Sequence, residues 1–257
     1  MPKRGRSGQV LIVTALVIAL ITISTASYIY NLSGNTGDDQ SSMLNDYLQS
    51  IEIGSKHAII SALANITNQG DNETLASNLN TWKTEVEKQY TFGTLALNYT
   101  LRETSLYSSG LYLNWSANGN GVSEASADFL LNADGSDLKM QLPFTVNVST
   151  ALLVEGYLTQ VSPQTEQATV LCRLFNEGQP ALAQNVTVFY QDSGVWQTLN
   201  TTKYPLLNYG NGTYRATFSL VTSASSLNVS ANAFDTRGIF VRANTTLTGN
   251  DTAYLGS

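Results

Sequence analysis

The stretch Leu138–Val148, LKMQLPFTVNV, alternates apolar and polar residues without a break. Leu138, Met140, Leu142, Phe144, Val146 and Val148 fall on one side; Lys139, Gln141, Pro143, Thr145 and Asn147 fall on the other. Successive strand residues point to opposite faces, so this period of two predicts a β-strand with one face turned to a core. Pro143 has no N–H for a ladder bond, which places it at a sheet edge or a bulge. Asp134-Gly135-Ser136 and Asn118-Gly119-Asn120-Gly121 carry hairpin turn residues. With strands expected over Thr94–Tyr99, Gly110–Ser116 and Ala125–Asn132, they predict an antiparallel sheet.

Toward the N-terminus the period changes. Met43, Leu44, Tyr47, Leu48, Ile51, Ala58, Ile59, Ala62 and Leu63 approximate 3.6 residues per turn. Ser41 or Ser42 is the expected cap, and Gly70 the C-terminal glycine. A second helix is expected from Glu73 to Tyr90, with Leu75, Leu79, Trp82 and Val86 on one face. The two form a hairpin packed on the sheet, giving a domain over residues 41–149. Residues 31–40, with two glycines and no apolar period, read as a linker.

Toward the C-terminus, strands are expected at Leu152–Gln160, Ala168–Asn176, Asn185–Gln191, Val195–Asn200, Thr213–Leu220, Leu227–Phe234 and Gly238–Leu247. Seven short strands with Gly, Asn or Pro between them predict a β-sandwich over residues 150–248, followed by a loose tail, 249–257. Trp196, Phe218 and Tyr214 are candidates for its core or edge. Cys172-Arg-Leu-Phe-Asn-Glu-Gly-Gln-Pro180, Val186-Thr-Val-Phe-Tyr190 and Tyr209-Gly-Asn-Gly-Thr-Tyr214 resemble Ig-like domains of prokaryotic surface proteins over about 95 residues. That resemblance implies a structural or adhesive module. Cys172 is the single cysteine, so no intramolecular disulfide forms. Within an apolar strand it reads as a small buried hydrophobe. The fold class is thus α+β: an N-terminal transmembrane helix, a helical hairpin on an antiparallel sheet, then an Ig-like β-sandwich.

The transmembrane assignment rests on Val10–Tyr30, VLIVTALVIALITISTASYIY, which carries no charge. As a helix it spans roughly 31 Å, close to the ~30 Å hydrocarbon core of a bilayer. Lys3, Arg4 and Arg6 precede it, and no Asp or Glu occurs before Asp38. The basic flank stays cytoplasmic and the remainder lies outside, a single-pass arrangement in contact with membrane lipid. Residues 1–8 form a basic leader and 9–30 the helix. Lys3-Arg4-Gly5-Arg6-Ser7-Gly8 followed by Gln9-Val10-Leu11 resembles the class III leader of archaeal type IV pilin-like proteins. The resemblance covers about the first 30 residues and implies cleavage between Gly8 and Gln9. Val13 stands where most pilins carry glutamate, which fits a minor pilin-like subunit or a plain anchor better than a major subunit. Ala15, Ala19, Thr22 and Ala26 form a small-residue face for helix packing. The alternative is signal-peptidase cleavage after Ala26, which releases a secreted binding module.

Only 12% of the chain is charged, against ~25% in typical soluble domains. The net charge is −6, and no basic patch invites nucleic acid. Asn-x-Ser/Thr sequons begin at Asn31, Asn65, Asn72, Asn98, Asn114, Asn147, Asn185, Asn200, Asn211, Asn228, Asn244 and Asn250, 12 of the 23 asparagines. Scattering the 55 Ser and Thr residues evenly over 257 positions predicts about 5. All 12 follow the apolar helix, on the side the charge rule puts outside the cell, so glycosylation of several is expected. Glycosylation without disulfides resembles archaeal surface proteins. The expected partners are other pilin-like subunits or surface-layer proteins.

No residue set suggests catalysis. The one histidine, His57, lies on the first exterior helix, and no phosphate loop, Gly-x-Ser-x-Gly elbow or Cys-x-x-Cys pair occurs. Asn132-Ala-Asp134-Gly-Ser-Asp137 lacks the spacing and closing glutamate of a calcium loop. The expectation is a non-enzymatic surface protein without a cofactor or metal. A surface hydrolase built from dispersed carboxylates is the remaining alternative.

Overall fold

The computed structural model describes residues 23–24, 39–90, 93–116, 118–135, 139–221 and 225–249. The leader residues Gly8 and Gln9, the packing residues Ala15, Ala19, Thr22 and Ala26, and the sequons at Asn31 and Asn250 lie outside the described residues. So does Val10–Tyr30, apart from Ile23 and Ser24, which are helical. Among the described residues no helix is long and apolar enough to cross a membrane.

Among the described residues the fold is α+β, with two long helices and antiparallel sheets. The chain divides into two compact units. The first holds the described residues up to Ala62, then Glu73–Leu101 and Ala127–Val146. The second holds Leu63–Asn72, Arg102–Ser126 and the chain from Asn147 onward.

In the first unit, helix α1 (Asp39–Thr67) supplies its residues up to Ala62, and α2 (Thr74–Gln89) is complete. The expected apolar positions face inward: Ile51 and Ile59 on α1, and Leu75, Leu79, Trp82 and Val86 on α2. The helices meet closely because residue 54 is glycine. A methyl group there would coincide with the Trp82 ring. Trp82 Nε1 donates to Ser55 Oγ at 3.0 Å, and Ser55 Oγ donates to the Ile51 carbonyl at 2.8 Å. Both buried polar groups are thereby satisfied. Helix α1 begins at Asp39, so Ser41 and Ser42 lie inside it rather than capping it. An acidic residue in the first turn suits the positive end of the helix dipole.

Strand β1 (Gly93–Leu101) pairs antiparallel with β3 (Asn120–Gly135), Leu97 opposite Leu131. Leu95, Leu97, Phe129, Leu131 and Ala133 are buried. Helix α2 is tied to β1 by three bonds. Tyr99 OH donates to the Ala76 carbonyl at 3.1 Å, the Leu97 N–H donates to Glu87 at 2.9 Å, and Lys83 donates to Asn98 at 3.2 Å. Phe129 and Phe144 stack with centroids 4.9 Å apart.

Strand β4 runs unbroken from Lys139 to Ser162, so the two strands expected over Leu138–Val148 and Leu152–Gln160 are one. Its pairing with β5 (Thr165–Asn176) starts only at Thr150, opposite Asn176. Pro143 therefore stands in the part of β4 that β5 leaves unpaired, the edge-like setting in which proline is tolerated.

In the second unit β4, β5, β10 (Thr213–Val221) and β9 (Leu207–Asn208) are neighbours in that order. The two-residue strand β6 (Gln179–Pro180) adds to β5, and β2 (Leu111–Trp115) forms a hairpin with β3. A second sheet runs β12 (Phe240–Thr248), β11 (Ser226–Asp235), β7 (Ala183–Asp192), β8 (Val195–Thr198). One apolar cluster joins both sheets as in a β-sandwich: Leu152, Val154, Val170 and Phe218 from the first, Val188, Val229, Ala231 and Val241 from the second. Phe218 and Tyr214 are core residues, while Trp196 lies on edge strand β8 and is 41% exposed. Cys172 is fully buried, and burial pushes its thiol up to about 12.

The end of α1 closes with a left-handed residue, but it is Gln69 (φ 70°), not Gly70. Gly70 N–H donates to the Asn65 carbonyl at 3.0 Å and Gln69 N–H to the Ile66 carbonyl at 3.2 Å, a Schellman pattern. Gly70 is required one position later, where a Cβ would strike the Asn65 side chain.

Candidate functional site

Two features of the second unit stand out, one charged and one aromatic. The charged one centres on Asp235, at the turn between β11 and β12, whose side chain is fully buried. Oδ1 accepts from the N–H groups of Arg237 and Ile239, each at 2.9 Å. Oδ2 accepts from Arg237 Nε at 2.7 Å and Thr150 Oγ1 at 2.9 Å. Arg237 also donates to Glu177 at 2.6 Å and to the Ser149 carbonyl at 2.9 Å. With two donors on each oxygen, the Asp235 carboxylate is paired and fully hydrogen-bonded, as a buried charge must be. It has no lone pair aimed at a ligand. The cluster fastens the β11–β12 turn to β4 and to the β5–β6 turn, a structural role.

The aromatic feature is a groove of about 310 Å³ over the outward side of β4, β5 and β10. Tyr157 on β4 and Tyr209 after β9 flank it, 39% and 47% exposed. Leu171 and Thr169 on β5 line it, with Thr213 and Arg215 on β10. Strand register produces this set: Tyr157 lies opposite Thr169 and Leu171 opposite Arg215. The Arg215 guanidinium sits 5.8 Å from the Tyr209 ring centroid, within cation–π range. Rings, hydroxyls and a guanidinium around a shallow apolar floor suit a ligand with one apolar face and a polar rim.

Asn211, one of the sequon residues, lines the same groove. Its Oδ1 accepts from the Thr213 N–H at 3.2 Å, a local Asx turn. Gly212 makes this turn possible. Its φ is +82°, and a Cβ there would stand 2.6 Å from the Ala181 carbonyl.

Asn72, Asn98, Asn114, Asn147, Asn185, Asn200, Asn211 and Asn228 are exposed; Asn65 and Asn244 are half-buried. Their amides are used differently. Asn147 Nδ2 donates to Glu124 at 2.6 Å, Asn228 Nδ2 to Gln191 at 2.8 Å, and Asn114 Nδ2 to Tyr112 OH at 3.0 Å. Asn200 resembles Asn211: its Oδ1 accepts from the N–H groups of Thr202 and Lys203, at 3.0 and 3.2 Å. Of the described sequon residues, Asn98 lies in the first unit and the others in the second, where Asn211 meets the groove.

His57 is exposed on α1. Asn132 accepts from Gln141 at 3.0 Å, and Asp134 pairs with Lys139 at 3.5 Å on the surface. Among the described residues no group of three or more His, Cys, Asp or Glu side chains is arranged to hold a metal ion. Tyr209-Gly-Asn-Gly-Thr-Tyr214 is visible in the sequence as one of the Ig-like stretches, but nothing local marks Tyr157, Leu171 and Arg215 as its neighbours. Only β-pairing brings them together.

No protein-family model matches the chain, and no curated protein matches it.

Proposed function

We propose that this chain is a non-enzymatic, membrane-anchored and glycosylated surface protein, displayed outside the cell in a structural or adhesive role. The observation that carries the reading is the position of the sequons. Twelve occur, all after the apolar N-terminal stretch, and none of the ten described is buried. Acceptor amides must reach solvent to carry sugar, and N-glycans form only on extracytoplasmic chains. The uncharged stretch Val10–Tyr30 behind Lys3, Arg4 and Arg6 supplies the anchor and its orientation.

The Ig-like reading of the second unit gains support from strand order. Lettered A, B, C, C′, D, E, F and G, the strands β4, β5, β7, β8, β9, β10, β11 and β12 run in the order A-B-E-D within an eight-stranded sheet that continues from β4 to β3 and β1, and G-F-C-C′ in the four-stranded one. That strand order is the one found in immunoglobulin-type sandwiches, which favours the reading. Such modules serve many roles, so the adhesive assignment rests on analogy. The stabilising cluster around Asp235 replaces no disulfide geometrically, but it joins β4, β5 and the β11–β12 turn in a chain with one cysteine.

Membership of a pilin-like filament is the sharper form of this reading. The Gly8-Gln9 leader and the face formed by Ala15, Ala19, Thr22 and Ala26 favour it; Val13 favours a minor subunit or a plain anchor. Protease treatment of intact native cells tests display. The exterior units are degraded if the reading holds, and their survival beside a digested surface protein refutes it. Gly8→Leu in the native host tests the filament form, which fails if processing and recovery in sheared filaments are unchanged.

A further inference from the structure

The groove between Tyr157 and Tyr209 is lined by a residue that can itself carry a ligand. We infer that it seats the first sugar residues of a glycan attached to Asn211. The inference rests on the glycosylated-exterior reading and adds a specific occupant for this groove.

Three observations converge. Asn211 and Thr213, the two ends of one sequon, both line the groove. A glycan on Asn211 would therefore start at the groove. The Asx turn engages Oδ1 and leaves Nδ2 without a hydrogen bond among the described residues, so linkage there breaks no contact. Gly212 permits the turn through a φ that other residues rarely adopt, and the Thr213 N–H bond to Oδ1 orients the acceptor side chain.

The lining also matches sugar chemistry. A pyranose has an apolar C–H face and a hydroxyl rim. Two half-exposed tyrosine rings offer surfaces for the former; Thr169, Thr213 and Arg215 offer donors and acceptors for the latter. The volume of about 310 Å³ is at the small end of ligand pockets, room for one or two sugars. A seated glycan would cover Tyr157 and Tyr209, which otherwise stand open to water. Among the described sequons, Asn211 is the one that lines this groove.

The test uses the full chain purified from its native host. Three variants suffice. Thr213→Ala deletes the sequon but keeps the Asn211 turn, which depends on the backbone N–H of residue 213. Tyr209→Ala removes one ring and keeps the sequon. The third combines both. The expected results are a glycopeptide at Asn211, nuclear Overhauser contacts between sugar C–H protons and the rings of Tyr157 and Tyr209, and a Tm lowered by about 2–4 °C in Thr213→Ala. Tyr209 is half-exposed, so its variant folds, and adding Thr213→Ala to it lowers Tm no further. Glycan at Asn211 without ring contacts, and with additive Tm losses, overturns the seat while leaving surface glycosylation intact. So does an unmodified Asn211 beside other occupied sequons. No glycan on any of the 12 sequons overturns both readings.

Discussion

Arg237 holds the fully buried carboxylate of Asp235 through an Nε–Oδ2 bond of 2.7 Å, and the two residues lie in the same tight turn. The rest of the guanidinium reaches Ser149 on β4 and Glu177 in the β5–β6 turn. One arginine thus joins three chain segments that are distant in sequence. Removing one partner of a buried pair leaves a desolvated charge, which costs about 3–5 kcal/mol. Arg237→Ala should destabilise the chain by that order, read as a lower urea midpoint. Here Asp235 keeps three other donors, so the lower end is expected. A loss within experimental error would show that the cluster is not a fastening.

Gly54→Ala tests the helix hairpin and has a competing sign. In an exposed helix the change gains about 1 kcal/mol. Here the added methyl would overlap the buried Trp82 ring, which its bond to Ser55 holds in place. Overpacking costs typically about 1–3 kcal/mol, so a net loss is expected, together with altered Trp82 fluorescence. A more stable variant would mean the helices do not meet at this glycine.

Cys172 provides a pH-dependent signature. Burial raises its thiol from 9.0 to about 12, so the folded chain keeps a proton that the unfolded chain releases. The corresponding stability is complete below pH 9.0 and is lost as pH rises toward about 12. Tyr47 and Tyr107, also raised to about 12 mainly by burial, act in the same direction. The difference between wild type and Cys172→Ala isolates the thiol. Wild type should lose more stability than the variant across that window, and the native thiol should react with a disulfide reagent only on unfolding. Equal losses would contradict burial of Cys172.

Much of this fold was legible in the sequence. Leu75, Leu79, Trp82 and Val86 are marked by period alone, and five of the seven expected C-terminal strands lie within β4, β5, β7, β10 or β11, while Val195–Asn200 overruns β8 by two residues and Gly238–Leu247 starts two residues before β12. The break expected near Thr150 has a physical explanation. Ser149-Thr150 looks like a polar interruption, yet Thr150 is buried in line with Val148 and Leu152, its hydroxyl bonded to Asp235 85 residues away. A polar residue satisfied by so distant a partner cannot be told from a turn by local pattern. Strands β6 and β9, two residues each, are too short to show a period. The groove escaped for a related reason. Tyr157, Leu171 and Arg215 are gathered by register, and single-sequence periodicity does not encode register between strands.

Site occupancy should follow how each amide is used. Asn200 and Asn211 fix Oδ1 in local turns and donate no bond from Nδ2 among the described residues. Asn147 and Asn228 use Nδ2 to hold Glu124 and Gln191. Peptide mass spectrometry of native material should find higher occupancy at Asn200 and Asn211 than at Asn147 and Asn228. The reverse order would show that native-state geometry does not govern acceptor choice.

The most direct test of an anchored, sugar-bearing surface protein is the intact mass of the mature chain recovered from the cell envelope of its native host. The account predicts an N-terminus at Met1, Pro2 or Gln9, which retains the stretch Val10–Tyr30, and a mass above that of the polypeptide by whole glycan increments. A chain beginning at Ser27, or one of unmodified mass found outside the envelope fraction, would contradict it.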